Sequence, residues 1–522
     1  MGVPCEICTM FIRRKPNKSG TTSVQVVDKS RGCYRVIKSF GTGRTEAELL
    51  SLERKARVYI NSLNGPSLFG SDEDDRVEDF VGSISNGQIQ VIGPELVFGS
   101  LYDHIGFCAI KEDMFRHLVI SRLFSPGSKL RTVDYLLRYQ NHLYEISSVY
   151  RFLDRLCDRR GGEDIKSQVE QIAYAHTQKV VGGKIDAVFY DMTTLYFEAS
   201  EEDDLRRCGF SKDGKHSNPQ IFLGVLVGSG GNPIGYDIFE GNIFEGDTLI
   251  PVLDKMTEKY GLGKPVVIAD AGLLSKRNLR ALSEAAYEYV LGARVKNEPN
   301  DIKDRILAMG LDCGQTAVIT RNDGNRLVVS KTERRAAKDR FNRERGLGKL
   351  QRRLGAGRLT KSNINNRGYN KYLKMDGEVH ISIDMGKFEA DAAWDGIKGY
   401  VTNTTMSESE VIENYSNLWY IERAFRMSKT DLRVRPIYHR LKNRIDAHIC
   451  ICFTAYAILL ELERILKQAQ SSITIDRARE LTKNMYQLTY TLPESRRERT
   501  AIMKMDEDQQ TIYDLVRKHC RK

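Results

Sequence analysis

A chain of 522 residues, 41% hydrophobic and 29% charged, is long enough for two or three domains and ordinary in composition for a soluble globular protein. Its start, with Cys5, Cys8, Arg13 and Arg14, lacks the basic-then-apolar pattern of a secretory leader, and ten scattered cysteines suit a reducing cytoplasm. The longest apolar run, 447–460, contains His448 and is too short to span a bilayer, so a buried helix and no membrane partner are expected.

From the N-terminus, Cys5-Glu-Ile-Cys8 has half a zinc spacing, with no second CxxC or HxxxH to answer it. Residues 8–40 alternate in the β manner around turns at Asn17-Lys-Ser-Gly20 and Lys29-Ser-Arg-Gly32, which predicts a small antiparallel meander. Residues 46–63 read as a helix ended by Asn64-Gly-Pro66, and Asp72-Glu-Asp-Asp75 as a loop or linker. Amphipathic helices follow over 111–180. Among them 116–124, the break Ser125-Pro-Gly-Ser128 and 130–139 form a helix-turn-helix-like unit, a shape shared by DNA readers and, more often, by plain helical hairpins. Strand patterns then occupy 187–193, 221–227, 234–239, 266–270 and 287–292, with helices at 248–260 and 275–285. A three-strand meander followed by helix, strand, helix and strand makes a mixed five-stranded α/β sheet. Further β-like pieces at 316–320, 326–330, 380–384 and 399–402 surround a basic segment, and helices are expected at about 440–467, 474–489 and 507–519.

Two of these strands end on a charge. Asp191 and Asp270 follow apolar, β-branched or aromatic runs, the pattern of buried parallel strands. A carboxylate there is costly unless paired, and a divalent cation is the usual partner. Glu422 lies on a helix that opens with the capping box Ser407-Glu-Ser-Glu410 and carries the stripe Val411, Tyr415, Leu418, Glu422, Phe425, Lys429. An acid within that stripe reads either as an internal pair with Lys429 or as the third member of a carboxylate set.

The net charge of +11 is concentrated. Residues 331–374 hold 15 Lys or Arg against 3 acids, a local +12, so the remainder is close to neutral. Arg334, Arg335, Lys338, Arg340, Arg343, Arg345, Lys349, Arg352 and Arg353 fall mostly at helical spacings. Most charge runs are solvated helix faces, but the shortage of compensating acids favours a polyanion partner.

Strand Asp, strand Asp, helical Glu, in that order on a three-plus-two-stranded sheet, resembles the ribonuclease-H-like core of DDE transposases. The chain is most similar to bacterial insertion-sequence transposases with a β-strand insertion before the Glu. The matching stretches are Tyr190-Asp-Met-Thr-Thr-Leu-Tyr-Phe-Glu198, Gly209-Phe-Ser-Lys-Asp-Gly-Lys215 with Pro219-Gln-Ile-Phe-Leu-Gly224, Val267-Ile-Ala-Asp-Ala-Gly272, Trp394-Asp-Gly-Ile-Lys-Gly-Tyr-Val-Thr-Asn403, and Tyr415 through His439. The subgroup's Tyr-x2-Arg-x3-Glu-x6-Lys helix motif is met by Tyr415, Glu422 and Lys429, with Leu418 where the motif has Arg.

The resemblance implies Asp191, Asp270 and Glu422 as catalytic metal ligands. Such a trio can hold two Mg²⁺ ions about 3.5–4 Å apart for in-line phosphodiester displacement, with Mn²⁺ able to substitute. It implies DNA as partner, both terminal inverted repeats and target, and a homodimer in a synaptic complex. The expected DNA contacts are Lys212, Lys215, Arg334, Arg335, Lys338, Trp394, Tyr415, Arg426 and Lys429, with Arg423 or Arg426 standing in for the missing motif arginine. Trp394 and Trp419 are candidates for stacking a flipped base, core packing being the stronger expectation for Trp419. The domain reading is a small β/α region (1–100), a helical DNA-binding region (101–183), the first part of the catalytic core (184–312), a basic β-rich insertion (313–403), the Glu helix (404–440) and a helical C-terminal region (441–522). Two other functions fit the same residues: a metal-dependent nuclease of this fold, and an inactive DNA-binding remnant.

Overall fold

The protein is described here from a computed structural model, over residues 10–29, 32–63, 71–158, 164–198, 201–209, 217–365, 368–376, 380–435, 437–492 and 495–521. The chain forms two units, each compact in itself: residues 1–88 with 489–500, and residues 89–488 with 501–522.

The first unit opens with the meander expected from its alternation. Strands β1 (Met10–Pro16), β2 (Thr22–Asp28) and β3 (Arg35–Gly43) pair antiparallel in that order. Helix α1 (Glu46–Leu63) covers them, burying Leu49 and Ala56 against Val24 and Val26. The acidic run at 72–75 is not a linker. It lies within helix α2 (Ser71–Ser83).

The second unit begins with the short strand β4 (Ile89–Val91) and helices α3 (Ser100–Ile105), α4 (Asp113–Phe124), α5 (Lys129–Gln140), α6 (Ile146–Arg155) and α7 (Ile165–Val180). A large sheet follows. Its strands in chain order are β5 (Ala187–Tyr196), β6 (Gln220–Gly228), β7 (Pro233–Glu240), β8 (Val266–Ala269), β9 (Tyr289–Ala293), β10 (Thr316–Thr320), β11 (Arg326–Lys331) and, after a separate two-stranded hairpin β12 (Leu373–Asp376) and β13 (His380–Ile383), β14 (Ile397–Thr402). Helices α8 (Leu249–Tyr260), α9 (Lys276–Glu284), α10 (Asn300–Ala308), α11 (Glu333–Gly355) and α12 (Met385–Ala392) lie between them in sequence. Then come α13 (Glu408–Ser416), α14 (Trp419–Arg426), α15 (Lys442–Gln468), α16 (Ile475–Thr482), β15 (Tyr486–Thr491) and α17 (Glu507–Cys520).

The sheet runs β10-β11-β14-β9-β8-β5-β6-β7, with β9, β8 and β5 parallel and the other pairs antiparallel. It has eight strands, not five. A five-stranded sheet would leave β9 as an open edge, and β14, β11 and β10 extend the ladder from it. The 380–384 segment stays out and pairs only with β12. At the C-terminal side, the helix expected over 474–489 ends at Thr482. The alternating Tyr486-Gln-Leu-Thr-Tyr-Thr491 becomes β15, whose first residues pair with β4.

The two sheet faces take alternate residues. Phe189, Leu195, Ile268 and Val290 pack with Val411, Tyr415, Ile421 and α15 on one side. Val188, Tyr190, Ala269 and Leu291 pack with α8 and α9 residues on the other. Among the described residues no helix is long and apolar enough to cross a membrane; α15, the apolar run with His448, is simply buried.

Candidate active site

Strand register brings the two aspartates together. β5 and β8 run parallel with Tyr190 opposite Ala269, so Asp191 and Asp270 are the next residues of each chain and lie side by side. Neighbouring strands are about 4.8 Å apart. Phe189 faces α14, its ring 5.6 Å from that of Tyr420 at 82°, and period-two alternation puts Asp191 on that same face. Both aspartates are half-buried. One oxygen of Asp270 accepts the Gly272 N–H at 2.7 Å, which fixes the turn leaving β8.

Glu422 reaches the site from a helix that is not continuous. The capping box forms as read, with Ser407 and Glu410 bonding reciprocally. The stripe then breaks at Asn417-Leu418, where Leu418 N–H bonds Tyr415 O and Ile421 N–H bonds Leu418 O, both tighter three-residue steps. Val411, Tyr415, Leu418 and Phe425 are buried as expected, while Glu422 is exposed. After α14 the backbone widens into a π-type turn over Met427–Asp431 that carries Lys429, whose ammonium lies 5.8 Å from the Phe425 ring.

Tyr415 and Lys398 link the acids. The Tyr415 hydroxyl sits where a side chain on Gly292 would be: a Cβ there would lie 2.4 Å from that oxygen and 3.0 Å from the Ala271 nitrogen. Only glycine leaves this space. Burial, then Asp270, Tyr400 and Asp191, push the Tyr415 phenol above its ordinary value, so it stays protonated. The Lys398 ammonium lies 4.3 Å from the Tyr415 ring centre. Burial and then Arg335 lower its pKa, while Glu422 opposes them. Lys398 was not singled out from sequence. Its only signal is a lysine inside the strand Ile397-Lys-Gly-Tyr-Val-Thr402.

Among the described residues, the group whose ligand atoms all lie within 4.8 Å is His104, Glu461 and His519, and there Arg464 already binds the carboxylate, Nε at 2.9 Å. Asp191, Asp270 and Glu422 are related through their neighbours: both aspartates act on Tyr415, and Glu422 acts on Lys398. Carboxylate oxygens are the donor type that hard Mg²⁺ or Mn²⁺ prefers, and a two-ion site needs no single shared centre.

Of the expected DNA contacts, Arg335 comes near this site. It lines a cleft of about 490 Å³ with Trp394, Lys398, Asp339, Arg343 and Asp391. Asp391 pins this region: Lys296 at 2.5 Å, Lys371 at 2.7 Å and the Tyr372 hydroxyl at 2.5 Å hold its carboxyl down at about 2 despite burial. Arg334 and Lys338 are exposed on α11, and Arg426 is exposed on α14. Arg423 pairs with Glu463. Lys212 and Lys215 lie outside the described residues, as do Cys5 and Cys8. The tryptophans reverse their expectation. Trp419 is 45% exposed, whereas Trp394 is half-buried against the core.

The transposase DDE domain family matches residues 183–458, just over half of the chain. The chain belongs to this family. The matched DDE domain contains Asp191, Asp270, Glu422 and all eight strands of the large sheet. Among solved structures it is similar to a piggyBac transposase synaptic complex with hairpin DNA, at 9% identity over 75% of this chain and 79% of that one, with a TM-score of 0.37. That likeness is too distant to bear on the fold or function of this chain. No curated protein matches it.

Proposed function

We propose that this DDE-family chain is an insertion-sequence transposase that cleaves the ends of its element and joins them to target DNA. The register that sets Asp191, in the middle of β5, beside Asp270, just past β8, carries the reading. The order β9-β8-β5-β6-β7 within the larger sheet supports a ribonuclease-H-like core extended by the insertion.

Asp191, Asp270 and Glu422 would hold two Mg²⁺ ions, or Mn²⁺ in their place. When bound, such ions lower the pKa of an attacking water or 3′-hydroxyl and stabilise the leaving 3′ oxygen. Tyr415 keeps its proton and orients the aspartate end of the sheet. Lys398 and Arg335 place positive charge beside the acids, where a phosphodiester would dock. The remaining α11 cations extend that surface for DNA, and two protomers would hold two element ends together.

The test uses DNA carrying the element's terminal repeats. Wild-type protein is expected to nick and join it with Mg²⁺ or Mn²⁺. Asp191→Asn and Glu422→Gln keep side-chain shape but remove charge, so cleavage should fall about 10³-fold or more with repeat binding intact. Cleavage without joining would favour the nuclease. Binding without any metal-dependent nicking would favour the inactive remnant.

A further inference from the structure

The junction of α4 and α5, the segment after α14 and the second turn of α15 enclose a cleft of about 550 Å³ that the family reading leaves unused. Its walls include Arg122, Lys129, Arg131, Arg433, Arg435 and His439, and no Asp or Glu among the described lining residues.

Two of these charges are buried. Lys129 and Arg122 are each only 6% exposed. The groups that perturb Lys129 are Arg122 and Cys452, with no carboxylate among them, and burial pulls its ammonium down to about 7. Arg122 Nη2 lies 3.3 Å from His448 Nδ1, while His448 Nε2 lies 2.9 Å from Val434 O. A carbonyl only accepts, so Nε2 carries the hydrogen and Nδ1 accepts from Arg122. His448 is then neutral and balances nothing. Asp154, an acid close enough to act on His439, is already held by Arg444 at 2.6 and 2.8 Å.

Two further features run against stability in the absence of a ligand. Lys129 and Arg131 occupy the first turn of α5, capped by Ser128 and without an acid, at the helix end that repels cations. Arg433 adopts φ +46°, a left-handed conformation uncommon outside glycine. Buried, unbalanced cations beside a helix N-terminus are what an anion site requires.

We propose that this cleft receives a backbone phosphate of the DNA, a contact separate from the carboxylate site and from α11. It rests on the reading of the chain as a DNA-acting transposase. The phosphate oxygens would accept from Arg122, Lys129 and the α5 N-terminus, balancing charges that the protein leaves unbalanced.

The test is Lys129→Met in the full chain, with terminal-repeat duplex binding titrated against salt in Mg²⁺-free buffer. Affinity should fall roughly 10-fold and the salt slope by about 1, while the Tm of the DNA-free protein holds or rises. Arg433→Gly, on an exposed backbone position it should relax, is expected to weaken binding likewise without loss of Tm. Equal binding and an unchanged slope in both variants, with wild type still binding, would overturn this site alone. Failure of wild type to bind any DNA would instead overturn the transposase reading. In a parallel arm, inorganic phosphate raising the Tm of wild type but not of Lys129→Met, with DNA binding unaltered in the variant, would assign the cleft to free phosphate and overturn the DNA contact.

Discussion

Helix α11 and the cleft beside α5 are both basic, yet they hold their charges in opposite ways. On α11, Arg334, Arg335, Lys338 and Arg345 stand in water, and the buried positions Ala336, Gly346 and Leu350 are small or apolar. Beside α5, Lys129 and Arg122 are inside the protein with no acid to meet them. Exposed cations cost the fold little and attract any polyanion through counterion release. Buried ones cost stability until a ligand arrives, so they suit one placed anion. Total charge therefore does not rank basic surfaces: α11 supplies most of the charge, the cleft most of the constraint.

The largest effect that would sharpen this contrast is on binding. Replacing Arg334, Arg335 and Lys338 together by Ala should weaken DNA binding roughly 100-fold at 0.15 M salt, uniformly across sequences, and flatten the salt slope by up to about 3. An unchanged slope would return α11 to a solvated surface. Stability should divide the regions the other way. In differential scanning, the α11 triple variant is expected to keep its Tm, whereas Lys129→Met should raise it by about 1 °C, the equivalent of roughly 1 kcal/mol in a unit of this size. A Tm that falls in Lys129→Met would mean that the lysine is compensated.

The smallest effect is on pH. Above pH 10.5 Lys129 is neutral folded or unfolded, and below about 7 it is charged in both, so the burial penalty is complete there. Between those limits the unfolded chain binds the extra proton, and wild-type stability rises with pH. The Tm advantage of Lys129→Met should therefore shrink between pH 7 and 9, by an amount the α11 variant does not show. A constant gap would remove the titration of Lys129 from the account.

The same contrast explains what the sequence could reveal. The α11 charges lie in one run, and their density is visible without any fold. The cleft joins Arg122 and Lys129 to Arg433, Arg435 and His448, segments more than 300 residues apart, so no window contains it. The core strands were legible because alternation and β-branched runs are local. Asp191 and Asp270 could be named from the apolar runs that precede them, but their adjacency depends on parallel register, which is not written in either segment. The stripe from Val411 to Lys429 was legible as a face. Its break at Asn417-Leu418 was not, because the choice between three- and four-residue hydrogen bonds leaves the apolar spacing intact. The insertion strands were seen singly, while their joining to β9 is a matter of which sheet edge they meet.

The first unit draws residues 489–500 into a body otherwise made from residues 1–88. On a ribosome its two pieces emerge 401 residues apart, about 20–80 s at roughly 5–20 residues per second. The meander β1–β3 can pair early, but the unit as a whole waits for the DDE domain to be synthesised before its last segment exists. A nascent chain cut short before residue 489 therefore never completes this unit, whatever the state of its large sheet.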